Sequence, residues 1–402
     1  MGREGSKVER LGSKIAQYIR QYNEKIDAGE KPEDEALKIS SACQELDAFV
    51  TSPESWTNRV ALAYNSSIAI CLLLDMNIFQ LISEGDEPTS LDTLVERSGC
   101  SKSLLRCVLR ECVAKSILDE PTSQMYQLNR QSACLLDING AAWIHYLCDV
   151  GLFTGAHLSK YVAKNGGQIP VYRHETAFQM AHGTHQPFYT FFKSCDPKKA
   201  ERFDKAMQWS SRGSAGTPIE SIFDFSQLRP GAVVVDVGGG RGHNSLRIAK
   251  AQPHLSFIIQ DLGASLPAHG VTDDADILKG FQWQQHDFYN KQPVKGADLY
   301  FLACIMMDNT SEDCCNILEH LVEAMIPNKS ILLIDDAIDI SEDDGYSLAN
   351  PMNMHLLACF GTLSRTMEEW KILFSKVPHG LCIINHWIVD PGRVTFALQR
   401  TS

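Results

Sequence analysis

Six residues in the C-terminal half of the chain, Asp236, Gly238, Gly240, Asp261, Asp287 and Phe288, have the types and order needed to hold a nucleoside. The segment VVVDVGGGRGHNSLRIAKAQP is an apolar strand that runs into glycines at 238, 239, 240 and 242 and then into a helix. Glycine at such a turn lets the backbone bend sharply and lets a ligand approach the helix N-terminus closely. The spacing is DxGxGxG read from Asp236, not the GxGxxG of a dinucleotide site, because His243 or Ser245 stands where the third glycine would be. A turn of this kind makes room for an uncharged nucleoside with an amino-acid tail and does not grip a pyrophosphate. Asp261 closes the next strand, SFIIQD, nineteen residues after Gly242, where a carboxylate can accept both hydroxyls of a ribose. Asp287 and Phe288 follow a third strand in QQHDFY; the carboxylate can take an adenine amino hydrogen and the ring can cover the purine. Each Asp alone would pass for a solvated strand end, but the three features stand in order at the ends of consecutive strands.

Such residues need a sheet to carry them. Short apolar runs alternate with helical stretches after residue 230: 232–237, 256–260, 281–285, 298–305, 330–336, 381–389 and 393–399. These seven strands predict an α/β sheet with helices on both faces. Only Asp390, Pro391 and Gly392 separate the last two, and so short a connection can join only antiparallel neighbours. The sheet is therefore expected to be parallel except for its final strand.

Upstream the pattern is helical. SKVERLGSKIAQYIRQYNEKI reads as a charged helix followed by a polar break at DAGEKPEDE, and apolar residues then recur at helical spacing through Ala61 to Phe79 and Ile82. TSLDTLVERSG and SKSLLRCVLRECVAKSIL predict two helices capped by Thr89 or Ser90 and by Ser101, followed by turn residues DEPTS and a short strand MYQLN. That order is a helix-turn-helix with a wing. From Trp143 to about Trp209 the chain is helical and rich in aromatic residues, enough to wall a pocket for an apolar ligand. SSRGSAGTP reads as a linker. The expected units are 1–135, helical and winged-helix; 136–225, linking helices at the pocket; and 226–402, the ligand-binding sheet.

Composition narrows the function. The 402 residues carry a formal charge of −12, divided as −4 before residue 226 and −8 after it. Neither part has the basic excess that binding a phosphate backbone requires. The winged helix, despite Lys102, Arg106, Arg110 and Lys115, is therefore read as a core or dimer element through Leu104, Leu105, Val108, Leu109 and Val113, with no nucleic-acid partner. Thirteen cysteines are scattered without a CxxC motif, the usage of reduced thiols in a cytoplasmic protein. His182 and His185 are the nearest approach to ligand spacing, so no metal site is expected. Neither a signal peptide nor a membrane-length apolar run is read in the chain.

The chain resembles the class I S-adenosylmethionine (SAM) dependent O-methyltransferases of plant and fungal small-molecule metabolism. The resemblance runs through VDVGGGRG, IIQDL, HDF, ADLYFL, SEDC, LLIDD and RTMEEW. It implies a seven-stranded Rossmann-like methyltransferase sheet with an N-terminal all-α, winged-helix dimerisation domain, a homodimer, and SAM as cofactor. It also implies that Asp236, Gly238, Gly240, Asp261, Asp287 and Phe288 form the SAM site, with Met306 near its mouth.

One departure stands out. After the fourth strand the family reads L-H-D-W-x-D-E, and its His removes the acceptor's hydroxyl proton; this chain reads Met306-Met307-Asp308-Asn309-Thr310-Ser311-Glu312. Met307 stands where the base belongs, and a thioether cannot take a proton at neutral pH, whereas a well-matched base is worth ~100-fold to 10,000-fold in rate. The family's assisting Glu is Asp336 here. Three outcomes fit this change. A base could come from elsewhere, with His145, His182, His185 and His355 available, leaving an O-methyltransferase. The chain could be a noncatalytic paralogue. Or, by resemblance to a fungal subset of the family, it could be a pericyclase of polyketide or alkaloid biosynthesis that keeps the SAM methyl group and holds a small-molecule substrate for a Diels–Alder, hetero-Diels–Alder or related step. The last is the leading expectation, with Met307 shaping the pocket and Asp308, His145 and Arg212 as polar partners.

Overall fold

The computed structural model describes residues 2–85, 87–169, 175–194, 197–210, 217–263, 275–339, 349–390 and 392–402. Two helices, Gly2–Asp27 and Glu33–Val50, pair at the start of the chain. The polar break between them is shorter than the sequence pattern predicts, because Glu33, Asp34 and Glu35 form the first turn of the second helix, where acidic side chains complement the helix dipole.

Helices Leu91–Ser98 and Lys102–Ala114 start where their caps place them. Ser90 Oγ accepts the Thr93 amide at 3.1 Å, and Ser101 Oγ accepts the Leu104 amide at 3.3 Å. The wing has three short strands, β1 (Thr89–Ser90), β2 (Leu118–Thr122) and β3 (Met125–Leu128), in the order β1-β3-β2. The DEPT residues, expected as a turn, are strand β2; the reversal sits at Ser123 and Gln124, the latter at φ 60°. Leu105, Val108, Leu109 and Cys112 of the second helix are buried in a core with Leu73, Phe79, Leu91 and Leu118. The winged helix is thus occupied in packing, although Leu104 is 44% exposed.

The main sheet contains β4 (Val233–Val237), β5 (Ser256–Asp261), β6 (Phe281–Gln285), β7 (Leu299–Ala303), β8 (Ile331–Asp339), β10 (Leu381–Asp390) and β11 (Arg393–Arg400), with a two-residue strand β9 (Arg365–Thr366) beside β8. Their order is β10-β11-β8-β7-β4-β5-β6. Strands β4 to β8 are mutually parallel, and β11 lies antiparallel between β8 and β10, so the last strand is the reversed one, as expected. Alternation along each strand feeds two cores. Val235, Val237, Tyr300 and Leu302 face Ile317, Leu321, Trp370 and Phe374, while Val234, Leu299 and Phe301 face Phe223, Phe225, Leu246 and Ile248.

A third layer joins the two halves. Tyr146, Val150, Phe178, Phe188 and Phe192 form an aromatic core with Cys359, which comes from the helix Ala349–Phe360 after β8. The first of these helices, Ile138–Tyr146, runs into a π-helical turn at Leu147–Leu152. These elements stand over the C-terminal end of β7, where the Met306–Asp308 segment forms one 3₁₀ turn.

Candidate active site

The glycine turn follows β4 directly. Asp236 is 2% exposed and accepts Ser245 Oγ at 2.6 Å; burial pushes its carboxyl up to about 6. A Cβ at Gly239 would lie 2.5 Å from Asp236 Cγ, so this glycine is required for the carboxylate to fit beneath the turn. Gly238 has φ +71°, and a Cβ there would lie 2.6 Å from Ile305 Cδ1 and 3.4 Å from Phe288 Cε1. Gly240, at φ +55°, has nothing within 4 Å of its Cβ position, and its amide donates to Asp261 Oδ2 at 3.1 Å. Asp287 accepts the Tyr289 amide at 3.1 Å, which fixes the turn that carries Phe288. The six residues singled out from spacing therefore converge around one turn. The space around the Gly240 Cβ position is open, with the Asp261 carboxylate on the Gly240 amide and the Phe288 ring close to Gly238. Behind it, the buried Gln260 amide bonds Gln284 and Gln292, ties between strand ends that no motif marked.

The segment after β7 is fastened through its backbone. Asp336 accepts the Met306 amide at 2.8 Å; Arg365 donates to the Met306 and Asn309 carbonyls at 2.8 and 2.7 Å; Thr362 donates to the Met307 carbonyl at 2.7 Å. Asn309 donates to the Ile305 carbonyl at 2.6 Å and accepts from Tyr289. Asn309 therefore serves the turn itself. Cys304 precedes it at φ 54°.

Asp308 accepts a hydrogen bond from the Tyr189 hydroxyl. Burial pushes the Asp308 carboxyl up to about 8, opposed by the Tyr189 bond and reinforced by Asp336. Burial likewise raises Asp336 to about 7, against its two amide bonds and Arg365. Arg393 forks onto both oxygens of the neighbouring Asp335 at 2.9 and 2.6 Å. Tyr146 Oη lies 2.8 Å from His355 Nε2. Burial lowers His355 to about 4, which leaves the imidazole neutral, and raises the Tyr146 and Tyr189 phenols well above their ordinary range.

Of the polar partners expected here, Asp308 is in place with Met307 beside it. His145 is not. Its Nε2 lies 3.6 Å from Asp75, and the ring lines a cavity of about 210 Å³ with Leu74, Phe79 and Ile138. The reason is helical: one residue is ~100° of rotation, so a helix that turns Tyr146 toward His355 turns His145 to the other side. Arg212 lies outside the described residues. Among the alternative bases, His182 is packed against Phe153, Phe178 and Phe191, and His185 is exposed. His355 alone of the four is tied to this end, since its helix packs on the Met306–Asp308 turn. Tyr146 and Tyr189 were legible only as part of an aromatic-rich stretch, with nothing to mark their hydroxyls.

Comparison with known proteins agrees with this fold. Residues 156–379 match the O-methyltransferase domain model, and residues 58–137 match the O-methyltransferase dimerisation domain. The chain is 53% identical over 396 residues to the N-methyltransferase nanE of Aspergillus nanangensis, covering 98% of each protein. Among solved structures it is similar in fold to a protein described as a pericyclic reaction enzyme, with a TM-score of 0.79, 22% identity, and 98% of this chain and 100% of that one covered. It is also similar to LepI in complex with SAM, with a TM-score of 0.78, 22% identity, and 99% and 100% covered. Identities this low speak for the fold alone. Among the described residues no helix is long and apolar enough to cross a membrane.

Proposed function

The chain belongs to the SAM-dependent O-methyltransferase family, and from that premise we propose that it methylates a nitrogen of a small polyketide or alkaloid metabolite. The observation that carries this reading is the pairing of an intact nucleoside end with Met307 at the position of the family's base. A phenol must lose its proton before it becomes a good nucleophile; an amine already has its lone pair and needs no base beforehand. The N-methyltransferase relative at 53% identity supports the same reading.

In this account Asp236, Gly238 and Gly240 shape the turn that receives SAM, Asp261 takes the ribose hydroxyls, Asp287 the adenine amino group, and Phe288 covers the purine. When bound, SAM supplies a methyl carbon that leaves its sulfur without electrons, so the acceptor nitrogen forms the new bond with its own lone pair and S-adenosylhomocysteine remains. Asp308 receives the N–H proton as charge builds on nitrogen; one of its oxygens is occupied by Tyr189, which leaves the other for the acceptor. Its raised carboxyl, near 8, is better matched to that task than an ordinary carboxylate. Met307 closes the wall as an adaptable apolar surface. The protein acts as a homodimer through residues 58–137 and works in the cytoplasm.

A second reading keeps the same residues and changes the chemistry. The aromatic layer above β7 and the thioether of Met307 also suit a pericyclic step, in which the cleft holds a reactive conformer and the methyl group stays on SAM. Incubation with methyl-labelled SAM and a panel of amines, phenols and reactive polyenes separates the two. Label on an amine nitrogen is the expected result; cyclisation of a polyene with all label still on SAM would overturn N-methylation in favour of the pericyclic reading.

A further inference from the structure

We propose that the Tyr146 hydroxyl is an acceptor-binding group of this site, receiving a donor hydrogen carried on or beside the acceptor nitrogen, and that His355 is the positioning residue that makes it so. The inference rests on the methyl-transfer reading and adds to it a feature of the substrate, a second hydrogen-bond donor besides the N–H that Asp308 takes.

The pair is built from two segments far apart in the sequence. Tyr146 ends the helix Ile138–Tyr146, and His355 lies on the helix Ala349–Phe360, 209 residues later in sequence, yet their polar atoms meet at 2.8 Å. The π-helical turn Leu147–Leu152 passes over the imidazole, and at Gly151 a Cβ would lie only 3.1 Å from His355 Nδ1. π-helical turns inside a helix are frequent at functional sites. Phe203 packs against both Tyr146 and Tyr189, with ring centroids 5.4 and 6.1 Å away, so the two phenols share one neighbour in the aromatic layer. Tyr146 lies close enough to Asp308 to feel its charge, and Tyr189 feels Tyr146.

The chemistry follows from the proton count. A neutral imidazole has one N–H and one acceptor nitrogen, and the partner of each nitrogen selects the tautomer. Nδ1 faces the Cys359 sulfur at 3.9 Å, a weak acceptor that suits the N–H. With the N–H placed on Nδ1, as the proposal takes it, Nε2 is the acceptor and Tyr146 donates to it. A phenol whose proton is committed in this way offers only lone pairs to a ligand, so Tyr146 selects a donor and rejects a carbonyl. Burial keeps His355 uncharged, which holds this polarity throughout the neutral pH range.

The test compares Tyr146→Phe, His355→Leu, His355→Gln and Gly151→Ala with the wild type, using the amine that the wild type labels from methyl-labelled SAM. Calorimetric SAM affinity serves as the folding control. Tyr146→Phe and His355→Leu are expected to lower kcat/KM for the amine about tenfold, the value of one hydrogen bond, mainly through KM and with SAM affinity unchanged. His355→Gln, whose side-chain carbonyl can still accept the phenol proton, should stay within about threefold of wild type. Gly151→Ala, which displaces the ring without touching the phenol, should fall between them, and it decides the matter if either aromatic variant fails to fold. The pH profile of His355→Gln should match that of wild type between pH 6 and 9, because His355 carries no charge there. Tyr146→Phe and His355→Leu with kinetics equal to wild type and SAM bound normally would overturn the inference and leave the methyl-transfer reading standing. A wild type that labels no nitrogen overturns both.

Discussion

At the nucleoside end of the cleft, the contacts are made at a backbone turn or between neighbouring strand ends: the Gly240 amide to Asp261, the Ser245 hydroxyl to Asp236, the Tyr289 amide to Asp287. At the acceptor end the partners come from distant segments. Tyr189 reaches Asp308 across 119 residues of sequence and Tyr146 reaches His355 across 209. The first arrangement is dictated by backbone geometry, which leaves a signature of glycines and strand ends. The second depends on how helices pack, which allows each chain to place different side chains over the same cofactor. Cofactor chemistry can therefore stay fixed while the acceptor changes.

The largest effect that would break this contrast is at Gly238. Alanine there must adopt φ +71° and place a Cβ 2.6 Å from Ile305. SAM affinity measured by calorimetry should fall about 100-fold, since the φ alone costs ~1–2 kcal/mol and the clash adds to it. Gly240→Ala, with a similar φ but no protein atom near its Cβ, should lower Tm less than Gly238→Ala does, and equal losses of Tm would show that sterics against Ile305 do not shape the turn.

At the other end, Asp308→Asn should lower kcat about 100-fold while SAM affinity stays as in wild type. A parallel loss of SAM affinity would merge the two ends into one site. The same carboxyl sets the pH dependence. With Asp308 raised to about 8, a reaction that needs its carboxylate should speed up about tenfold in kcat between pH 7 and 9, and the rise should vanish in Asp308→Asn. A flat wild-type profile would remove Asp308 from the proton transfer.

Stability should move the opposite way. Asp308 and Asp336 have folded-state values of about 8 and about 7, above the unfolded carboxylate value. The folded chain therefore holds more protons than the unfolded chain from about pH 4 to pH 8, and their contribution is full below that window and lost as pH rises through it. Above the range in which the buried histidines titrate, thermal denaturation should show Tm falling from pH 7 to pH 9, and by less in Asp308→Asn than in wild type. The smallest effect expected is that of Met307→His, which restores the family's base. It should add weak methylation of a phenol without abolishing the nitrogen activity, and its failure to do so would indicate that His at this position lacks the orientation the family gives it.

The limits of the sequence follow the same division. The strand ranges and the reversed last strand were legible because short apolar runs and a three-residue connection are local signals, and Asp236, Gly238, Gly240, Asp261, Asp287 and Phe288 stood out because turn glycines and strand-end residues are local too. DEPT was misread as a turn because Pro and acidic residues at a sheet edge resemble turn chemistry, and the edge strand β2 tolerates them. His145 stands out in the sequence because a histidine advertises chemistry, whereas Tyr146 in an aromatic stretch does not; only the rotation of one helix shows which of the two faces His355. Met307 announced the missing base, but the residues that surround Asp308 in its absence come from elements whose packing no spacing encodes.

The central claim is that this cleft moves the methyl group to nitrogen. Its most direct test is to count S-adenosylhomocysteine against product in single-turnover reactions with methyl-labelled SAM. The account predicts one S-adenosylhomocysteine for each N-methylated product, with the label on nitrogen; product formed while the labelled methyl remains on SAM would contradict it.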